Sequence, residues 1–338
     1  MKTLLKFAIV LIGISAQAEE KAQETAIPKT KNLDSASSKI SEPTNPFGSL
    51  TLQKNSVGYL APKAGFQIEL DTSQTNYYFD FKDSQTKLRE KDFVSKLDLA
   101  YALNPSVFFG MSLSYRDSKT VPTYEGMENP PSLEFTTKGD SEPSFTVGTR
   151  QDWDSYAGVF SLGFGLYSRD AYSHYQNTGT TSGNLEGGAF FAPRVSIFAN
   201  QVGEPLWGFS SYYLIQQERT QAISGGPSGG VQFRNIYQGG NQFVFSTFFE
   251  SPHENMNVGA NLDYLRTEGA RVTSYDSVGE SKYSQSATSF LTMTLSSKIR
   301  LGSRLALVPH MILGRAIEYS SADRKDLMGG GVKIKASF

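Results

Sequence analysis

Along most of this chain, large apolar residues recur at every second position. The clearest case is Tyr156 to Ser168: Tyr156, Phe160, Leu162, Phe164 and Leu166 alternate with Ala157, Val159, Ser161, Gly163 and Gly165, broken only by Gly158. A period of two places successive side chains on opposite faces of a strand, so this stretch has one greasy face and one face with little bulk. A water-soluble sandwich would carry charge or Thr on its outward face. Ser and Gly opposite a row of Phe and Leu instead fit a strand whose bulky side meets hydrocarbon.

The same alternation predicts twelve strands, with ten to fourteen as the range the weaker segments allow. The first starts near Gly65, with Phe66, Ile68 and Leu70 on one face and Gln67, Glu69 and Asp71 on the other. Its apolar parity flips at Tyr77-Tyr78-Phe79, which predicts a bulge near Ser73 to Asn76. The second carries Phe93, Leu97, Leu99, Tyr101 and Leu103 against Lys96, Asp98 and Ala100. Asn104-Pro105-Ser106 then makes a tight turn, because proline presets φ and donates nothing to a ladder. The third sets Val107, Phe109, Met111, Leu113 and Tyr115 against Gly110, Ser112, Ser114 and Arg116. A short fourth strand places Phe145 and Val147 opposite Gly148 and Arg150, and the fifth is the stretch described above. The sixth, about Ala189 to Asn200, presents Phe191, Val195 and Ile197 with Arg194 opposite. Strands seven to eleven centre on Trp207 to Ile215, Phe243 to Glu250, Val258 to Tyr264, Leu291 to Ser296 and Leu305 to Leu313. The last ten residues close the series, with Val332, Ile334, Ala336 and Phe338 on one face and Lys333, Lys335 and Ser337 on the other.

Short turns alternate with long polar segments: Lys82–Asp92, Asp117–Glu142, Arg169–Gly187, Gln217–Asn241 and Arg266–Gln285, all expected to be loops. The run Gly225 to Gly230 makes the Gln217 segment the one expected to fold inward over a mouth, with Phe233 and Tyr237 as candidates to line a path for an apolar solute. An even strand count puts both termini of the barrel on the side of the short turns.

The amino terminus changes the compartment. Lys2 and Lys6 precede an apolar run from Phe7 to Ile14 and an Ala16-Gln17-Ala18 site, which together predict a cleaved secretory signal over residues 1–18. Residues 19–62 are nearly free of large apolar side chains and read as a disordered periplasmic linker. The barrel then occupies residues 63–338. Loss of the two lysines takes the 32 basic residues to 30 against 33 acidic ones, a net charge of −3 in place of −1, which gives nucleic acid no electrostatic footprint. With no cysteine, neither disulfides nor thiolate metal sites are available. Mean hydropathy is −0.34, as expected where half of every spanning strand is polar.

The signal ending Ala16-Gln17-Ala18, the alternating strands, and the closing run Val332, Ile334, Phe338 resemble the bacterial outer-membrane β-barrel superfamily, porins among them. The resemblance spans about Gly65 to Phe338. It implies an all-β, closed, antiparallel up-and-down barrel in the outer membrane of a Gram-negative cell, surrounded by lipid and lipopolysaccharide. It also implies that Val332, Ile334 and the terminal Phe338 act as an assembly signal for the barrel assembly machinery. Ala336 departs from the pattern, where a larger side chain is usual.

Catalysis finds little support. A phospholipase-type barrel needs a His and a Ser two residues apart on one strand, oriented by a third group. His310 is followed by Met311 and Ile312, His174 adjoins Ser173, and His253 falls in a turn. A protease-type barrel needs paired Asp with a His at the outer rim; Asp80 with Asp83 or Asp323 with Asp326 could stand there, but such pairs more often are solvated loop charges. Three scattered histidines make no metal site, no cofactor is implied, and Gly225 to Gly230 lacks the Lys-Ser/Thr of a phosphate loop.

The polar parity is more telling. Glu69, Asp71, Lys96, Asp98, Arg116, Arg150, Arg194, Asp263, His310, Lys333 and Lys335 all fall on it, so they are expected to meet in the lumen. Buried charges persist only if wet or paired. Small inner residues on a barrel of intermediate size leave space for water. The expected function is a channel or porin-like protein that passes small solutes through a mixed-charge lumen. The alternative is a surface-exposed binding or adhesion barrel with a blocked lumen, and an outer-membrane hydrolase is a weaker third.

Overall fold

In the computed structural model the described residues are 65–81, 86–124, 135–140, 143–165, 171–176, 179–184, 189–199, 205–225, 231–251, 256–275, 279–302, 304–318 and 324–338. The signal peptide, the linker, Asp83, His253, Asp323 and Gly226–Gly230 lie outside them.

Twelve strands make the wall: β1 Gly65–Phe81, β2 Thr86–Asn104, β3 Val107–Tyr124, β4 Ser144–Asp152, β5 Tyr156–Gly165, β6 Phe190–Ala199, β7 Leu206–Gln216, β8 Gln242–Ser251, β9 Met256–Thr267, β10 Thr288–Arg300, β11 Leu305–Glu318 and β12 Arg324–Ser337. Each pairs antiparallel with its neighbour in sequence. β12 returns to β1 along a continuous register from Gln67 opposite Ser337 to Asp80 opposite Arg324, so the twelve-stranded cylinder is closed. Closure leaves no wall edge with unpaired backbone groups, the condition for strands to cross hydrocarbon. The seam ends where Phe66 donates to the Phe338 carbonyl at 3.0 Å and Phe338 to that of Phe66 at 2.8 Å.

The alternation read from the sequence is the alternation of the wall. Outward rows carry Phe109, Phe160, Val195, Phe209, Leu262, Leu295 and Met311, all exposed. Toward the short turns the outer face becomes aromatic: Tyr101, Trp153, Tyr156 and Trp207 are exposed, and the Tyr156 and Trp207 rings meet edge to face at 6.1 Å. Aromatic residues at the rim of an apolar band suit a membrane–water interface. The short turns are built as expected; at the first, the Asn104 side-chain oxygen accepts from the Ser106 and Val107 amides, each at 2.8 Å.

Three expectations are corrected. First, β1 has no bulge. Its registers with β2 and β12 run through Ser73–Asn76 without a shift, so Tyr77 and Phe79 stay on the inner face, where both are buried. The parity flip marks a change in what the interior contains.

Second, the long polar segments are largely strand. β1 to β3 run on past their apolar portions. Strands at Phe135–Asp140, Ala171–Gln176, Gly179–Asn184, Arg219–Gly225, Val231–Gly239, Ala270–Tyr275 and Glu280–Gln285 extend the wall beyond the band. Gly179–Asn184 lies parallel to Phe135–Asp140, and Ala171–Gln176 parallel to Arg219–Gly225. Ala171–Gln176 and Gly179–Asn184 pair antiparallel with each other, so their order around the wall is the reverse of that of β5 and β6. Arg219–Gly225 and Val231–Gly239 form a hairpin of this wall in place of the expected inward-folding loop.

Third, the small inner residues leave less room than expected, because rings fill it. A Cβ on Gly148 would strike the Phe108 ring, and one on Gly165 would lie 2.8 Å from the Phe190 ring.

Two wall prolines interrupt the ladder without shifting it. Pairing of β6 with β7 lapses between Arg194–Tyr212 and Phe191–Ile215, beside Pro193. That of β10 with β11 lapses between Ser296–His310 and Ile299–Leu307, beside Pro309. Proline has no amide hydrogen to give.

Candidate functional site: the barrel interior

The inner face is layered along the barrel. Toward the long connections lies an apolar layer: Tyr77 and Phe79 from β1, Tyr212 and Leu214 from β7, Val244, Leu265, Phe290, Ile312 and Ala316 from β8 to β11, and Leu327 from β12. A smaller apolar cluster joins Phe108, Ala157, Val159, Phe198 and Phe248, with Leu206 against it. Charged and hydroxyl side chains occupy the rest.

The eleven residues expected on the inner face are all buried or half-buried, and four of them, Glu69, Asp71, Lys333 and Lys335, are brought together across the β1–β12 seam. Along the seam, Lys333 Nζ lies 3.1 Å from Asp71 and 3.5 Å from Glu69, while Lys335 reaches Glu69 at 2.8 Å. The His310 Nε2 is 3.8 Å from Asp71, and its Nδ1 is 3.5 Å from the Val308 carbonyl oxygen. On β2, Lys96 meets Asp98 at 3.1 Å, and the Ser112 hydroxyl donates to Asp98. Arg150 donates to Asp152 at 2.8 Å and lies over the Phe198 ring at 5.3 Å. Asp263 accepts from Ser246 and from Asn261, both at 2.5 Å. These contacts supply the compensation that buried charges require.

Arg116 has two partners that the sequence reading missed. It donates from Nε to Asp92 at 2.6 Å and from Nη2 to Glu90 at 3.2 Å, and Ser118 also donates to Glu90 at 2.9 Å. Both carboxylates had been assigned to a loop. The available signal was that Leu88, Glu90, Asp92 and Val94 continue the parity of Lys96 and Asp98.

Arg194 is different. Its guanidinium carbon sits 4.9 Å from the Tyr212 ring centroid, and among the described residues no carboxylate lies within ion-pair distance. It borders a cavity of ≈ 70 Å³ between the apolar layers, whose lining includes Lys96, Asp98, Ser112, Ser144, Thr146 and Ser161. That is well above the roughly 10–15 Å³ a single water needs, so the recess has room for a few.

Of the two candidate carboxylate pairs one member each is described, Asp83 and Asp323 lying outside the described residues. Asp80 is paired with Arg89 at 2.8 Å, and Asp326 lies 4.0 Å from Arg315. No group of three metal-ligating side chains occurs among the described residues. Tyr237 is buried on the inner face of the extended wall, where its hydroxyl accepts from Asn235 at 3.4 Å. Val332, Ile334 and Phe338 lie exposed on the outside of the wall.

A closed, even-stranded antiparallel cylinder, apolar outside and charged within, is the architecture of the outer-membrane β-barrels, and this chain has it. Among solved structures it is similar to an outer membrane channel from Pseudomonas putida F1, with a TM-score of 0.51 and 9% identity over 83% of this chain and 98% of that one. It also matches the translocator domain of the autotransporter NalP from Neisseria meningitidis, with a TM-score of 0.49 and 12% identity over 86% of this chain and 94% of that one. At such identities the likeness is one of fold. No family model matches the sequence, and no curated protein matches it.

Proposed function

We propose that this protein is an outer-membrane channel that passes small polar solutes through a narrow lumen of mixed charge. The observation that carries the reading is the cavity between the apolar layers, whose lining joins Lys96, Asp98, Arg194 and five hydroxyl side chains, Tyr212 among them, with the apolar Phe190 and Leu214. A barrel serving only as a scaffold gains nothing from carrying that many desolvated charges inside. The apolar layer around Phe290 and Ile312 is the narrow point, and its side chains must move for solute to pass. The same layer favours a second reading, a surface-binding barrel with a blocked lumen.

On either reading the lipid of the outer membrane and its lipopolysaccharide surround the apolar band, and the outer row Val332, Ile334 and Phe338 is what the assembly machinery engages. Planar-bilayer recording separates the two functions. Discrete current steps from the purified protein are expected of the channel. Insertion without current, at any voltage the bilayer tolerates, would leave the binding barrel.

A further inference from the structure

Among the described residues, every buried or half-buried inward-facing cation of the wall but one has a carboxylate within ion-pair distance; Lys298, for instance, lies 3.9 Å from Glu250. Lys96, Arg116, Arg150, Lys333 and Lys335 are compensated. Among the described residues Arg194 has only the face of Tyr212. A half-buried guanidinium left with a π face has no counter-charge beside it, and its donors stay open to the cavity. Its position makes this specific. The registers put Arg194 opposite Ser161 on one side and Tyr212 on the other, at the wall of the cavity that also holds Lys96, Asp98 and the hydroxyls of Ser144 and Thr146. Of the three ionised groups, Asp98 offsets Lys96, so the cavity carries one net positive charge. Pro193 removes an amide donor next to Arg194, so recognition there falls to side chains.

We infer that this cavity is a binding subsite for a small monocarboxylate, with Arg194 taking both carboxylate oxygens and the Ser and Thr hydroxyls satisfying polar groups on the rest of the molecule. A planar guanidinium matches a carboxylate by paired hydrogen bonds. A single net charge selects a monoanion, and a recess that admits a few waters suits a small one. The subsite deepens the channel reading by naming the class of solute, and it is tested without current.

The probe is L-lactate, with the neutral lactamide as its isostere. Binding is measured by ligand-observed NMR on the detergent-solubilised full chain, with folding checked by heat-dependent gel mobility. Wild type should bind lactate at least about tenfold more tightly than lactamide. Arg194→Gln should abolish that preference, and Arg194→Lys should retain part of it. Arg150→Gln, which removes a cation already paired with Asp152, should leave the preference in place. Equal binding of lactate and lactamide by wild type, or an unchanged preference in Arg194→Gln with native gel mobility, overturns the subsite. Lactate binding by a protein that passes no current supports the subsite and removes the channel.

Discussion

At the scale of single residues, the interior is governed by pairing. Arg116 shows the size of the effect, because one guanidinium holds two carboxylates that are themselves buried. Arg116→Met should lower stability by roughly 3–5 kcal/mol, since Asp92 and Glu90 would be left facing each other without compensation. The expected result is a lower urea midpoint for the folded, gel-compact form, with the loss recovered in part when Asp92→Asn is added. Parity alone predicts the inner side for Arg116, Lys96, Asp98 and the seam lysines, all of them buried or half-buried, because a charge on the polar side of a lipid-facing strand has nowhere else to go. Parity did not identify Phe108, Phe198 and Phe290 as inner residues, since an aromatic on that face contradicts the rule that lumens are polar. The flip at Tyr77 and Phe79 was legible, but its cause was not.

At the scale of elements, all twelve wall strands were readable, because hydrocarbon imposes alternation wherever a strand crosses it. Their lengths were not. Beyond the band the outer face meets water while the inner face buries Glu90 and Asp92 in ion pairs, so Lys87 to Asp92 keeps the backbone of a strand while losing the contrast in hydrophobicity that reveals one. The seam supplies a prediction. Gly329 and Gly331 approach β1 so closely that a Cβ on Gly331 would lie 2.7 Å from the Ser73 Cα and clash with the Thr72 carbonyl oxygen. Backbone cannot give way as a flexible side chain does, so Gly331→Ala should cost roughly 1–3 kcal/mol and slow barrel closure. Gly163→Ala is the control, as its Cβ would meet nothing nearer than 3.6 Å and should be neutral within about 0.5 kcal/mol. Refolding into lipid vesicles, followed by gel mobility over time, distinguishes the two.

At the scale of the whole molecule, the two apolar layers and the charged cavity between them form one arrangement along the axis. If the layer at Phe290 limits passage, Phe290→Ala should raise single-channel conductance several-fold while leaving the charge preference to the cavity. Phe290 is fully buried, and its removal is expected to cost about 3–5 kcal/mol of stability, so the comparison is made on protein that shows native gel mobility. An unchanged conductance would move the constriction to the Phe108 and Phe198 cluster, where Phe198→Ala gives the matching test.

β1, β2 and β3 are 17, 19 and 18 residues long. About 9–11 residues suffice to cross the bilayer, so roughly eight remain, and at about 3.3 Å each with a tilt near 45° they carry the rim about 20 Å above the apolar band. Anything arriving from that side meets a paired-backbone collar well before the level of the phospholipid headgroups. The first two nanometres of its descent are set by peptide, whatever the lipid around the barrel happens to be.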